Sequence, residues 1–249
     1  MTKIVVVGFG RFGQLISQIL SEKTDCEVVV VSSRSHPQQE NISFGSIEDI
    51  KTADVVIPAV PISAFEETLI KIAPLLRKDA LCIDVCSVKT YPVEVMLKIL
   101  PSTVSILATH PMFGPVSYQK NGGLSSFYIV LYPVRILPEK YQKIKHFCQN
   151  IGLVVREVDP ETHDRHVAYS QLYSFLIGHL TDKLQLTTTT IDTYWYSTLL
   201  ELSHSVMNEG ETLFHDMLKF NPYAKKFLSS FNISVADLQN EIKKIFSSS

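Results

Sequence analysis

Lys3-Ile4-Val5-Val6-Val7-Gly8-Phe9-Gly10-Arg11-Phe12-Gly13 runs from an unbroken β-branched stretch straight into spaced glycines. Continuous Ile and Val, rather than alternation with polar residues, is what a strand covered on both faces requires, as in a parallel sheet. Beyond it, Phe12, Leu15, Ile16, Ile19 and Leu20 recur on one side of a helix from about Arg11 to Ser21. Between strand and helix, Gly8 permits the tight turn, Gly10 lets the backbone approach a pyrophosphate, and Gly13 lets helix and strand pack closely. Free amides at the helix start would receive the negative charge. Gly8, Phe9, Gly10, Arg11, Phe12 and Gly13 are therefore assigned to dinucleotide binding. A glycine pattern alone is weak evidence, and its place between a strand and an amphipathic helix is what gives it meaning.

Outward from this stretch the alternation repeats. Strands are expected at Glu27–Val31, Asp54–Val60, Leu81–Val85 and Val104–Thr109, helices over 62–76 and Val93–Leu100, and weaker structure over 40–53. Phe127–Leu131 and Leu153–Val158, flanking a helical stretch at Glu139–Ile151, complete the sheet. After Asp159-Pro160 the period becomes helical, with Asp159 as the cap and Pro160 in the first turn of a helix beginning near Glu161. The Thr187–Thr190 run favours a break, followed by helices over Tyr196–Phe220, Tyr223–Phe231 and Val235–Phe246. The predicted class is α/β, a Rossmann-type doubly wound parallel sheet with a C-terminal all-helical domain. Residues 1–158 form the dinucleotide-binding part and 159–249 the substrate-binding and dimerisation part. So short a helical region cannot bury Leu172, Phe175, Leu176, Leu199, Leu202 and Leu213 alone. Packing on the first domain and on a second copy, as a homodimer, is the expected remedy.

The 23 basic and 25 acidic residues leave a formal charge of −2, with no positive field to hold a polyanion, so a small-molecule substrate is favoured over nucleic acid. Cys26, Cys82, Cys86 and Cys148 have neither the density of a disulfide scaffold nor the paired spacing of a zinc knuckle. Met1-Thr2-Lys3 leads directly into a strand, so the expectation is a cytoplasmic protein with no membrane span, and Ser247-Ser248-Ser249 reads as a frayed end. The second strand ends in Ser32-Ser33-Arg34-Ser35, with no carboxylate for the adenosine ribose. A guanidinium flanked by hydroxyls suits an extra phosphate, so NADP is the expected cofactor. The competing reading of Arg34 is an ordinary solvent-facing loop arginine.

Ligands of such sheets bind beyond the carboxyl ends of the strands. There Leu81–Val85 is followed by Cys86-Ser87-Val88-Lys89, and the strand at Val104–Thr109 by His110-Pro111-Met112-Phe113-Gly114-Pro115. Adjacent strand ends would bring Ser87, Lys89 and His110 to one crevice. His110 can accept a hydroxyl proton while the adjacent carbon gives up hydride, Ser87 can orient the hydroxyl or the imidazole, and Lys89 can hold a carboxylate or close a loop. Taken singly, each has a bland alternative: a strand-end cap for His110, a helix cap for Ser87, an exposed side chain for Lys89. Together, in a dinucleotide domain, they form the candidate catalytic set.

These segments resemble the TyrA family of prephenate and arogenate dehydrogenases, enzymes of tyrosine biosynthesis, and are especially similar to its plant arogenate branch. The likeness runs from Gly8–Gly13 through Ser32–Ser35, Asp84–Lys89 and Thr109–Pro115, and extends into Asp159–Gln171 and Ile191–Leu228. It implies removal of hydride from the ring carbon bearing the hydroxyl and loss of the ring carboxylate as CO2, with His110 as base and Ser87 as its hydrogen-bonding companion. Hydride transfer of this kind needs no metal, and the spacing of His163 and His166 does not indicate one; both read as cap, surface or interface residues. One departure stands out. Where related enzymes usually carry a histidine after the segment matching Tyr173-Ser174, this chain has Phe175, and His179 lies about one turn beyond on the same face. Prephenate is the expected substrate, because Val116–Gly123, read as a loop lining the pocket, holds no acid to pair with the ammonium of arogenate. Arogenate is the alternative, as an acid from the helical domain or a partner subunit could enter the site. A non-catalytic NADP-binding homologue, which Phe175 favours, and another NADP-linked oxidoreductase, such as a hydroxyacid or imine reductase, are the further rivals.

Overall fold

The computed structural model describes residues 1–36 and 42–247, so residues 40 and 41 of the weakly structured stretch and the Ser248-Ser249 tail lie outside the described residues. Eight strands form one sheet: β1 (Lys3–Val7), β2 (Glu27–Val31), β3 (Ser43–Gly45), β4 (Val55–Pro58), β5 (Leu81–Asp84), β6 (Ser105–Pro111), β7 (Tyr128–Arg135) and β8 (Val154–Glu157). Their order is β3-β2-β1-β4-β5-β6-β7-β8. The connections leave β1 and β4 in opposite directions, and the crevice that ligands use opens at such a reversal.

The all-valine strands are covered on both faces, as their composition demands. Val5 packs beneath α2 (Ile62–Ile72) and α3 (Thr90–Ile99) with Phe65, Leu69, Ile72 and Met96, whereas Ile4 and Val6 face the opposite layer with Leu20, Val30 and Ile57. On that second face α1 (Arg11–Lys23) and α5 (Pro138–Asn150) contribute Leu15, Ile19, Tyr141 and Cys148. The sheet departs from all-parallel at one place, where β7 runs antiparallel to β6 with His110 opposite Val130. Its connection explains why. Residues 116–123, expected as a loop, include α4 (Pro115–Asn121), which starts on a proline and ends at Gly122 with φ +69. So short a helix turns the chain back, whereas a parallel return needs a longer crossover.

Among the described residues the regular elements after β8 are all helices: α6 (Pro160–Tyr169), α7 (Gln171–Lys183), α8 (Tyr194–Glu209), α9 (Glu211–Phe220) and α10 (Ala224–Ser247). Asp159 caps α6, its Oδ1 accepting from Thr162 N–H at 2.9 Å. The stretch expected as one helix over Tyr196–Phe220 divides at Gly210, whose φ is +92. Conversely, the two expected at 223–231 and 235–246 are a single helix, since neither glycine nor proline interrupts them. Among the described residues no helix is long and apolar enough to cross a membrane.

Two carboxylates of the helical part cap helices of the sheet layer. Asp164 accepts from the amides of Lys89 (2.7 Å) and Thr90 (2.8 Å) at the start of α3. Asp216 Oδ2 accepts from Ser63 N–H (3.0 Å) and Ser63 Oγ–H (3.1 Å) at the start of α2. Orphan amides and the positive end of each helix dipole are satisfied across the junction, which sets how the helices sit over the strand ends.

Candidate active site

Gly8 holds φ +106, and a Cβ there would lie 2.4 Å from Ala59 O. A Cβ on Gly13 would lie 2.3 Å from Gly8 O, so both glycines are demanded by close backbone packing rather than by a ligand. Gly10 differs, because a Cβ there would meet nothing within 4 Å. It faces open space at the start of α1, whose first amides receive no side-chain cap. That cradle fits a pyrophosphate.

Two clefts meet at this point and share Gly10, Ala59, Val60 and Pro61. One, of about 640 Å³, runs over Gly8, Phe9, Ser32, Ser33 and Arg34, the side where an adenosine would lie. Phe9 is buried there, edge-on to the rings of His36 and Phe44. Ser32 Oγ bonds His36 Nε2 at 2.9 Å and accepts from Arg34 N–H at 3.2 Å, while Ser33, Arg34 and Ser35 are exposed. The other cleft, of about 600 Å³, is lined by Arg11, Phe12, Ser87, His110, Gln171, Phe175, Glu209 and Asp216 among others. It is therefore bounded by both parts of the chain.

Strand β6 delivers His110 to this second cleft with the residue only 2 % exposed. Burial, reinforced by His163 and the Lys89 ammonium, holds its imidazole well below the ordinary histidine range, so it is neutral near pH 7. Its Nδ1 lies 2.9 Å from His163 Nε2, and His163 Nδ1 lies 2.8 Å from Asp164 Oδ1. The sequence reading placed His163 at a cap or interface, but the junction between helices and sheet sets it directly behind His110. Ser87 lines the cleft on the loop after β5.

Lys89 is not brought to the crevice. Its side chain is fully buried and its ammonium is paired with Asp84, so the expected contact with a substrate carboxylate gives way to a bracing role. Asp84 also accepts from Cys86 N–H at 2.9 Å and Thr109 N–H at 3.2 Å. The pair thus ties the loop carrying Ser87 to the strand carrying His110. A buried Lys–Asp pair is tolerated because these further donors satisfy the carboxylate. Cys86 lines the cleft, yet burial beside Asp84 pushes its thiol well above the usual range and leaves it no nucleophile.

The acids missing from 116–123 arrive from the helical part. Glu209, at the end of α8, lines the cleft, and a Cβ on Gly114 would come within 2.6 Å of its Oε1. Burial raises its carboxyl above the usual range, with the Arg11 guanidinium opposing. Asp216 is also in the lining, held by Ser63. Phe175 fills the position expected to carry a polar group, 6.4 Å from Phe214. His179 does not substitute for it: its ring stacks on Phe214 at 4.2 Å and is outside the cleft lining.

Residues 35–157 match the family model of the prephenate dehydrogenase nucleotide-binding domain, and residues 180–248 match a TYRAAT1-like C-terminal domain. The chain is 31% identical to Arogenate dehydrogenase 1, chloroplastic, of Arabidopsis thaliana, over 96% of this chain and 39% of that protein. To Arogenate dehydrogenase 2, chloroplastic, of the same plant it is 30% identical, over 96% of this chain and 70% of that protein. It spans, then, well under half of the first and about 70% of the second. The crystal structure of prephenate dehydrogenase from A. aeolicus, in complex with hydroxyphenyl propionate and NAD+, shares the fold at a TM-score of 0.72 and 20% identity, covering 98% of this chain and 91% of that one. The dinucleotide in that structure corrects the expectation of NADP. Arg34 is exposed on the loop after β2, in keeping with an ordinary solvent-facing arginine. Fold, sequence likeness over nearly the full chain and the histidine-lined cleft beside the glycine loop converge: this chain belongs to the prephenate/arogenate dehydrogenase family of nicotinamide-dependent oxidoreductases.

Proposed function

We propose that this chain is an arogenate dehydrogenase using NAD, with Glu209 as the partner of the substrate ammonium. The observation that carries the choice is Glu209 itself, a half-buried carboxylate in the cleft that also holds His110. Asp216 is engaged by Ser63, whereas burial raises the Glu209 carboxyl above the usual range, with the Arg11 guanidinium opposing. A cationic amine relieves that desolvation, while the keto group of prephenate leaves it in place. The likeness to the two plant arogenate dehydrogenases points the same way. The sequence favours prephenate because residues 116–123 hold no acid; Glu209, entering from the helical part, supports the arogenate alternative instead.

Gly8 to Gly13 and the free amides of α1 would hold the dinucleotide, which would supply the hydride acceptor. His110 takes the proton of the ring hydroxyl, and the O–H electron pair forms the carbonyl as hydride leaves the same carbon. The bond to the ring carboxylate then breaks, CO2 departs, and its electron pair enters the ring, which becomes aromatic as a phenolate. That phenolate recovers the proton from His110, so no net proton is consumed. Ser87 aligns the hydroxyl, Phe12 and Phe175 exclude water, and Asp84 with Lys89 keeps the two strand ends in register.

Steady-state kinetics with NAD test the reading. The specificity constant for arogenate exceeds that for prephenate, and Glu209→Gln lowers the arogenate-to-prephenate ratio by about tenfold or more, the value of one charge-assisted contact. A higher constant for prephenate in the unaltered protein overturns it.

A further inference from the structure

Behind His110 lies a chain of hydrogen bonds whose direction can be worked out. Asp164 Oδ1 receives the Lys89 amide at 2.7 Å, and Oδ2 receives the Thr90 amide at 2.8 Å. Main-chain N–H groups only donate, so the carboxylate acts as acceptor, and the hydrogen in its 2.8 Å contact with His163 sits on the imidazole Nδ1. A neutral imidazole carries one such hydrogen. Its Nε2 is then a lone pair, and in the 2.9 Å contact between the two rings the donor is His110 Nδ1. His110 Nε2 is left bare.

We propose that Asp164 and His163 are positioning residues that hold His110 in its Nδ1–H tautomer, making Nε2 the atom that takes the substrate's hydroxyl proton. This rests on the reading of His110 as the base in the preceding section. In the step, the substrate O–H bond breaks and an N–H bond forms at His110 Nε2. The imidazolium so produced donates from Nδ1 to His163, whose own Nδ1–H points to the Asp164 carboxylate, so the new positive charge is met by a chain of aligned dipoles ending in a negative group. Without His163 the ring has no acceptor at Nδ1, and the opposite tautomer, with its hydrogen on the cleft side, cannot accept a proton there.

The same carboxylate has a second duty that gives the arrangement its logic. Asp164 receives the two amides at the start of α3, and His163 meets His110, only when the helical part is docked on the sheet, so one junction makes both contacts. Asn221 Nδ2 donates to Asp164 O at 2.8 Å and fixes the carboxylate's own backbone from α9's end. The base is therefore set in its working form by the junction that closes the cleft. Charged and titratable groups around His110 are the Lys89–Asp84 pair and Cys86 from the α3 and β5 side, His163 and Asp164 from α6, Arg11 from α1, and Glu209 and Asp216 across the cleft.

The test uses the whole chain labelled with 15N-histidine and two-bond proton–nitrogen spectra above pH 7.5, together with kinetics of His163 variants. His110 shows the Nδ1–H pattern in the unaltered protein. His163→Phe removes the acceptor, gives a mixed or reversed pattern, and lowers kcat by roughly 10- to 100-fold with KM little changed, as losses of orienting partners do. In His163→Gln the amide oxygen lies near the former Nε2 and accepts from His110, so the pattern is retained and kcat stays within about threefold, and its pH profile keeps the acid limb of the unaltered protein. An Nε2–H pattern for His110 in the unaltered protein overturns the proposal without any variant having to fold. So does a His163→Gln protein with native circular dichroism that is as slow as His163→Phe. Inability of the unaltered chain to turn over arogenate or prephenate counts against the proposed activity instead, and the spectra still decide the tautomer.

Discussion

His110 and His163 share one burial site, and both are held below the ordinary histidine value of 6.5, chiefly because burial penalises the charged ring. In the unfolded chain each binds a proton as pH falls through about 6.5, whereas in the folded chain each resists until lower pH. The unfolded state then carries more protons, so stability is held above about pH 6.5 and falls as pH drops from there toward the folded values. Thermal midpoints measured from pH 8 to pH 5 should decline across this window, and His163→Gln, with one of the two titrating rings gone, should decline less steeply. Parallel curves for the two proteins would show that His163 is not the linked group. For catalysis the same shift is useful, since a neutral imidazole is available as base throughout the neutral range.

Helix ends and helix contacts carry the information at the next scale. Asp164 and Asp216 act as caps for α3 and α2 although they are distant in sequence, and this places the helical part by charge and hydrogen bonds rather than by apolar area alone. Within the helical part, α7 and α8 approach closely because Gly178 has no side chain. A Cβ there would lie 2.8 Å from Val206 Cβ, and Ser203 Oγ donates to Gly178 O at 2.8 Å across the same contact. Val206 is β-branched and buried, so it cannot swing aside. Gly178→Ala should therefore destabilise by about 1–3 kcal/mol despite alanine's better helix propensity. Urea unfolding checks it, and unchanged or increased stability would mean that the two helices separate at no cost.

At the scale of the whole molecule, the sheet layer buries its apolar clusters between strands and helices, whereas the helical part leaves large apolar side chains exposed. Val167, Leu172, Met217, Ala224 and Phe227 form its core, but Leu184, Ile191 and Trp195 stand 61%, 87% and 78% exposed. Helix α10 runs for 24 residues, and beyond Phe231 its whole remainder is exposed, with Val235, Leu238 and Ile242 along one side. A helix projecting into water with an apolar stripe gains its stability from a partner face, and a second copy of this chain offers an identical stripe. A homodimer is the expected state, detected by light scattering at micromolar concentration. Leu238→Glu combined with Ile242→Glu should shift it toward monomer, and a monomeric unaltered protein at that concentration would refute it.

The glycine loop, the valine strands and the place of His110 and Ser87 at strand ends are legible in the sequence because each depends on neighbours a few residues away. Turn chemistry, β-branched runs and helical period are local properties, and a doubly wound sheet converts strand order into a shared crevice almost automatically. Other features had no local signal. The pairing of His110 with His163 joins residues 53 apart, and that of Ser63 with Asp216 joins residues 153 apart. Lys89 reads in sequence as a group for a substrate carboxylate, with an exposed side chain as the alternative, because lysine is seldom buried, yet a buried Asp84 and the packing of α3 enclose it. Residues 116–123 contain no acid, which is what points to prephenate in the sequence; the acids that line the cleft, Glu209 and Asp216, are carried in by the docking of α8 and α9. Composition and period set which elements form and what they bury, but which charged side chains face one another across the cleft was decided by tertiary packing, where pairing and desolvation act together.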